Sequence, residues 1–211
     1  MNVLIVGSGT VGAIEIIKEL SDKSDLLICA DGGARYFYKA RIMPDILLGD
    51  FDSINPEIQA LYQKSNIEII RFPSHKNYTD MELAIDCAIE KGASTIYLVG
   101  AVGSRMDHTL SNIHLLHKIT DAKAKGVIID QNNYIYIVTD HIKLKRKQGF
   151  FVSLVPATPV VEGVTTKGLA YPLKDAKMVM GTGLGISNEF TLDSAEVSIK
   201  KGRLYVMVSK D

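Results

Sequence analysis

Val3-Leu4-Ile5-Val6-Gly7-Ser8-Gly9-Thr10-Val11-Gly12 is a short apolar run that breaks at a glycine and continues as a glycine-spaced turn. Such a run, largely β-branched and bounded by glycine, reads as a buried strand, and the glycines permit a tight turn into a helix. The same pattern repeats outward from it. Leu26 to Cys29, Ile46 to Leu48, Ile67 to Ile70 and Thr95 to Val99 are further candidate strands, with longer helical runs between them. Short apolar strands alternating with helices build βαβ units around a mainly parallel sheet. The helices also mark their own ends. Asn55-Pro56-Glu57 supplies an N-cap, a proline at the first helical position and an acid in the first turn. Thr79-Asp80-Met81-Glu82 reads as a capping box opening a helix that Gly92 closes. A third helix is expected from about Asp107 to Ile119.

Beyond Gly126 the periodicity changes to two. Tyr134 to Thr139, Ile142 to Lys145, Phe150 to Val155 and Ala195 to Ser209 alternate apolar and polar residues between Gly, Pro and Lys-Gly turns, the mark of antiparallel β. Val197 and Ile199, then Leu204, Val206 and Val208, share a face on either side of Lys201-Gly202, which predicts a hairpin covering one side of a core. The polar, small segment Asp121 to Gly126 marks the boundary. The expected organisation is therefore an α/β domain over 1–122 and an all-β domain over 123–211.

A chain of 211 residues, 46% hydrophobic and 23% charged, can bury a real core, which excludes disorder, collagen and coiled coil. The 24 Lys and Arg balance the 24 Asp and Glu, so there is no global basic field to attract nucleic acid or an anionic membrane, and neither is expected as a partner. Any anion must meet local groups. Cys29 and Cys87 are too few for a disulfide framework or a cysteine-built zinc site, which suits a reducing cytoplasm. The first residues carry no basic leader, and no apolar run approaches the ~18 residues of a membrane span, so a cytoplasmic location is expected.

Several clusters carry chemistry, each with a plainer alternative. Gly7 to Gly12, with Asp31 ending the second strand, follows the dinucleotide fingerprint with its ribose-binding acid. The alternative is a tight turn packed on the sheet. Asp45 to Ser53 places Asp50 and Asp52 where, in an extended chain, they point the same way about 6.6 Å apart, able to converge on a hard cation. All-oxygen ligation favours magnesium; a capped loop is the alternative. Lys76 to Glu82 joins a cation, a hydroxyl and two acids at a helix start. Capping alone accounts for Thr79 and Glu82, leaving Asp80 for metal and Lys76 for phosphate. Gly100 to His108 follows another strand, and Arg105 there can clamp phosphate or pair with Asp107 on the surface. His108, His114 and His117 lack the spacing of a zinc site, and the last two read as partly buried helix residues. Lys143, Lys145, Arg146 and Lys147 read as a solvated strand face. Gly181 to Glu189 is a loop whose hydroxyls, amide and bare backbone suit a small polar ligand.

Taken in order, Ala30-Asp31-Gly32-Gly33-Ala34, Pro44-Asp45 with Gly49 to Ser53, Lys76 with Thr79 to Glu82, Gly100 to His108, and Ser187-Asn188-Glu189 resemble the thiamin pyrophosphokinase family over nearly the whole chain. The resemblance implies a Rossmann-like α/β domain, a C-terminal β-sandwich, and a homodimer with active sites between one subunit's α/β domain and its partner's sandwich. It implies transfer of the diphosphoryl group of ATP to the hydroxyl of thiamin, with magnesium, giving thiamin diphosphate and AMP. On it Asp50, Asp52 and Asp80 hold the metal, while Asp31, Lys76, Thr79, Arg105, Asp107, His108 and Asn112 surround ATP. Ser187 and Asn188 face thiamin. Asp50, Asp52, Asp80, Lys76 and Arg105 carry the chemistry, with Asp52 or Asp80 taking the hydroxyl proton. Some relatives stack the thiamin pyrimidine on tryptophan; this chain has none, so a tyrosine such as Tyr171 or an aliphatic residue must serve.

Two other readings compete. An NAD-dependent oxidoreductase uses the glycine turn and Asp31 but gives Asp50, Asp52 and Asp80 no task. A non-catalytic nucleotide sensor predicts ATP-dependent stabilisation without turnover.

Overall fold

A computed structural model describes residues 1–73 and 77–211, and the chain divides into two compact units, Met1–Gln131 and Asn132–Asp211. In the first, strand β1 (Asn2–Val6) leads through α1 (Ile14–Ser21) to β2 (Leu26–Ala30), a 3-10 turn over Asp31–Gly33, and α2 (Ala34–Ala40). Strand β3 (Ile46–Gly49), α3 (Pro56–Gln63), β4 (Glu68–Arg71), α4 (Asp80–Glu90), β5 (Thr95–Val99), α5 (Met106–Asp121) and β6 (Lys125–Ile129) follow.

These six strands pair in the order β6-β5-β1-β2-β3-β4, every pairing parallel. Val3, Leu4, Ile5 and Val6 are wholly buried, as are Phe37, Ile85 and Leu116 on the helices. Helices on both faces explain why the strands read as unbroken apolar runs. Each such side chain contributes about 2 kcal/mol relative to exposure. The helix starts are set locally: Asn55 Oδ1 accepts from Glu57 N at 2.8 Å, and Thr79 Oγ1 accepts from Glu82 N at 3.1 Å. The reciprocal half of the expected capping box is replaced, because Glu82 Oε1 accepts instead from Lys118 Nζ at 3.0 Å on α5. Strand order reverses between β1 and β5, which opens a crevice beyond their carboxyl ends, the usual ligand position of such sheets.

The second unit holds β7 (Asn133–Val138), β8 (His141–Lys145), β9 (Phe151–Pro156), β10 (Val160–Lys167), β11 (Ala176–Val179), β12 (Asn188–Glu189), β13 (Ser194–Ser198) and β14 (Leu204–Ser209). Its strands pair antiparallel in the orders β12-β9-β14-β7 and β11-β10-β13-β8. One apolar cluster draws on both sheets, including Val152, Val161, Val164, Val197 and Val206.

Two expectations are corrected. The units divide at Gln131/Asn132 instead of at 122/123, because Lys125–Ile129 is a parallel strand against β5 and not the first strand of the antiparallel half. The hairpin at Lys201-Gly202 does not form. Strand β13 pairs with β8 and β10, whereas β14 pairs with β7 and β9, so the chain passes from one sheet to the other at this turn. Period-two alternation fixes which side chains point inward, and Val197 and Val206 do share a core, but it is silent on which strand pairs with which. Among the described residues no helix is long and apolar enough to cross a membrane.

Candidate active site

The crevice between β1 and β5 is built from backbone. Gly7 N donates to Val99 O at 2.8 Å, Gly9 N to Gly100 O at 2.7 Å and Thr10 N to Val102 O at 2.7 Å, which zips the two post-strand loops together. A Cβ on Gly9 would run into the carbonyls of Val102 and Gly100, so the close approach requires glycine there. Around these loops lies a cleft of about 480 Å³ lined also by Thr79, Asp80, Arg105, His108 and Asn112. Five residues expected to surround ATP or metal therefore meet at one edge of the sheet.

Helix α5 aims its first turn at this cleft, with Arg105 as N-cap residue and His108 on the wall. Two of its side chains organise the loop before it. Asn112, only 7% exposed, donates from Nδ2 to Ala101 O at 2.6 Å, and Thr109 Oγ1 accepts from Gly103 N at 3.0 Å. Asn112 thus lines the cleft while holding its floor. Arg105 forms a forked pair with Asp107, Nη2 to Oδ2 at 2.6 Å and Nε to Oδ1 at 3.2 Å, both side chains largely exposed. The bond from Arg105, with one from the His108 backbone, holds the Asp107 carboxyl below its ordinary range. In this conformation Asp107 faces Arg105 and is not part of the cleft wall.

The acidic loop departs from the extended geometry on which its reading rested. Phe51 sits between the two acids with φ +70°, in the left-handed region, and is 5% exposed. That turn breaks the arrangement in which Asp50 and Asp52 point the same way. Asp50 Oδ1 instead accepts from Asp52 N at 3.1 Å, closing the loop locally. Asp80 lines the cleft, but among the described residues no group of three His, Cys, Asp or Glu is placed to hold a metal ion, so Asp50, Asp52 and Asp80 are not gathered into one centre here. Asp45 lies at the amino end of β3, not the carboxyl end, where its Oδ2 accepts from Leu27 N at 2.8 Å. Asp31 also has a positive φ, +44°; Ser53 Oγ donates to its Oδ2, and its Oδ1 is buried without a hydrogen-bond partner among the described residues. Lys76 lies outside the described residues.

In the second unit Ser187 is exposed at φ +56°, its N donating to Ser153 Oγ at 3.0 Å. Asn188 is 4% exposed and committed internally: Nδ2 donates to Tyr171 O at 2.8 Å, and Oδ1 accepts from Tyr171 N and Glu189 N, each at 3.0 Å. Its amide clamps the Tyr171 backbone. Tyr171, whose backbone it holds, is 73% exposed, and Met180, Leu184 and Ile186 are exposed as well.

The family model described as "Thiamin pyrophosphokinase, catalytic domain" matches residues 17–129, and "Thiamin pyrophosphokinase, vitamin B1 binding domain" matches residues 139–204. The thiamine pyrophosphokinase of Bacillus subtilis (strain 168) is 31% identical over 209 residues, 98% of either chain. The chain belongs to the thiamin pyrophosphokinase family. Thiamine pyrophosphokinase 3 of Oryza sativa subsp. japonica is 26% identical over 85% of this chain and 76% of its own. Among solved structures, the Bacillus subtilis thiamine pyrophosphokinase superposes with a TM-score of 0.90 at 29% identity, covering both chains fully. That of Geobacillus thermodenitrificans gives 0.87 at 30% identity, covering 100% of this chain and 98% of the other.

The two pyrophosphokinase segments match the two structural units, with the division at Gln131/Asn132 between them. Sequence reasoning missed the left-handed backbone at Asp31, Phe51 and Ser187, since nothing in these residue types announces it. It also passed over Arg35 and Tyr36, which line the cleft directly after the Asp31-Gly32-Gly33-Ala34 block. His114, expected to be partly buried, is exposed, with its ring edge-on to His117 at 6.4 Å.

Proposed function

We propose that this chain is a thiamin pyrophosphokinase, moving the diphosphoryl group of ATP onto the hydroxyl of thiamin to release AMP and thiamin diphosphate. The observation that carries the reading is the cleft at the β1/β5 reversal, where Thr79, Asp80, Arg105, His108 and Asn112 converge on a backbone cradle. Nucleotide phosphates suit this place, because the N-terminus of α5 favours negative charge. The thiamin oxygen attacks the β-phosphorus and the AMP oxygen leaves, so the protein's task is alignment and charge neutralisation more than covalent chemistry. Arg105, on exchanging Asp107 for phosphate, and Lys76 offset charge on the phosphate oxygens. Asp52 or Asp80 takes the hydroxyl proton.

The residues suit magnesium. Their donors are carboxylate oxygens, Asp31 offers a buried oxygen lacking a partner among the described residues, and magnesium commonly needs only one or two carboxylates beside the substrate phosphates. One or two of Asp50, Asp52 and Asp80, beside the substrate phosphates, would hold it. Bound there it supplies charge neutralisation across the transferring phosphates. The second unit reads as a β-sandwich that receives thiamin, and exposed Tyr171, Leu184 and Ile186 suit packing against the flat face of a heteroaromatic ring. The same exposed apolar residues support a homodimer whose sites combine one subunit's α/β unit with the partner's β unit. Free Cys29 and Cys87 suit a cytoplasmic setting.

The test is to incubate the protein with thiamin, ATP and magnesium and resolve all products by chromatography. AMP in equal amount with thiamin diphosphate is expected. ADP with thiamin monophosphate overturns the reaction, and no product from folded protein overturns the activity.

A further inference from the structure

Two arginines line the cleft among the described residues, Arg35 and Arg105, and their surroundings differ. Arg105 is forked onto Asp107. Arg35 has no carboxylate partner among the described residues. A single nitrogen, Nη2, makes its polar contacts, donating to Ser8 O at 2.5 Å and to Tyr36 Oη at 3.1 Å. The guanidinium carbon lies 4.7 Å from the centre of the Tyr36 ring, which supports the plane of the group. Tyr36 is itself anchored, its hydroxyl donating to Gly9 O at 2.6 Å. The result is a cation held in place by a carbonyl and an aromatic face, with the N–H groups of Nη1 and Nε unspent among the described residues, in an exposed position.

A guanidinium fixed in this way presents donors in the planar geometry that phosphate oxygens accept, at less entropic cost than a free surface arginine. We propose that Arg35 contacts the phosphates of the bound nucleotide and that it, more than Arg105, supplies positive charge in the resting cleft. This assignment rests on the nucleotide reading of the cleft given above. A purely structural alternative exists, in which Arg35 only tethers the Ser8 carbonyl of the glycine turn. The two differ in what a neutral donor can replace.

Calorimetry on the full chain with ATP, ADP, AMP and adenosine, in wild type and Arg35→Gln, separates them. Glutamine keeps a neutral donor but carries no charge. The expected result is an affinity loss of about tenfold or more for ATP, consistent with one charge-assisted contact, shrinking along the phosphate series to no change for adenosine. Raised salt should narrow the difference. Arg35→Lys, which keeps charge but not the fork, should fall between the two. Equal loss for all four in Arg35→Gln, or no loss for ATP, overturns the assignment while the nucleotide reading stands. Failure of wild-type protein to bind any of the four overturns that reading and this assignment together.

Discussion

The carboxyl edge of the parallel sheet and the Gly181–Glu189 loop of the β unit use the same construction with opposite surface chemistry. In each, a buried polar side chain holds backbone and an exposed neighbour is left to meet a ligand. At the sheet edge Asn112 holds Ala101 and Tyr36 holds Gly9, and the exposed groups are charged, Arg35 and Arg105 among them. In the β unit Asn188 holds Tyr171 and Ser153 receives Ser187 N, and the exposed groups are apolar, Tyr171, Leu184 and Ile186. A motif residue can therefore be essential to a site without touching what binds there. The division also matches ligand chemistry: charge for a polyphosphate, apolar surface for an aromatic vitamin.

The comparison makes its sharpest claim at Asp52, an exposed residue of the first unit for which a role in the reaction is proposed. Asp52→Ala should lower kcat by at least about a hundredfold, the scale of losing one electrostatic contact to the transition state, while the melting temperature stays within a degree or two. Product formation and thermal melts measured on the same preparation check this. Activity retained would return the acidic loop to simple capping and remove the contrast.

Asn188 should behave in the opposite way. Asn188→Leu removes the partners of the Tyr171 N–H and C=O in a part-buried position, which costs about 1 kcal/mol and lowers the melting temperature by roughly 3 °C in a chain of this size. The thiamin KM should rise through the displaced Tyr171, with the ATP KM unchanged. A stable variant with lost thiamin affinity would make Asn188 a direct contact and break the parallel with Asn112. Thr79→Ala tests the same distinction within the first unit. Loss of the cap on Glu82 N should cost about 1 kcal/mol, and turnover should fall only as far as the displaced start of α4 moves Asp80. Denaturant melts beside ATP saturation curves separate the two effects.

These contrasts also mark what a sequence can reveal. The strands of the first unit were legible because each is a continuous apolar run, and the starts of α3 and α4 because Asn55 and Thr79 cap them through bonds within three residues. Local causes leave local signs. The pairing of β13 and β14 with different sheets was not legible, since inward alternation is the same for a hairpin and for two strands facing across a core. Nor was the fate of Asp50 and Asp52: their convergence depended on the φ of Phe51, which its residue type disfavours and which the surroundings impose. Asn188 was recognised as a motif residue, but only burial shows that its amide is spent on Tyr171.

The smallest effect concerns the Arg105–Asp107 pair and bears on which arginine meets phosphate. Arg105 holds the Asp107 pKa below the ordinary aspartate range. A depressed carboxyl contributes stability that is present above its unfolded pKa and fades as pH falls through the folded one. Because both side chains are largely exposed, screening keeps that contribution slight, and melts of wild type and Arg105→Gln at neutral pH should nearly coincide. The titration itself is more informative. In carbon-detected NMR the Asp107 carboxyl should titrate below the ordinary range in wild type and move up toward it in Arg105→Gln. Adding ATP to wild type should produce the same upward move, because a guanidinium that turns to phosphate abandons its carboxylate, and the released Asp107 takes up a proton more readily. If ATP binds and the Asp107 midpoint stays where it was, Arg105 remains paired through binding, and the phosphate charge falls to Arg35, held on the Ser8 carbonyl of the glycine turn.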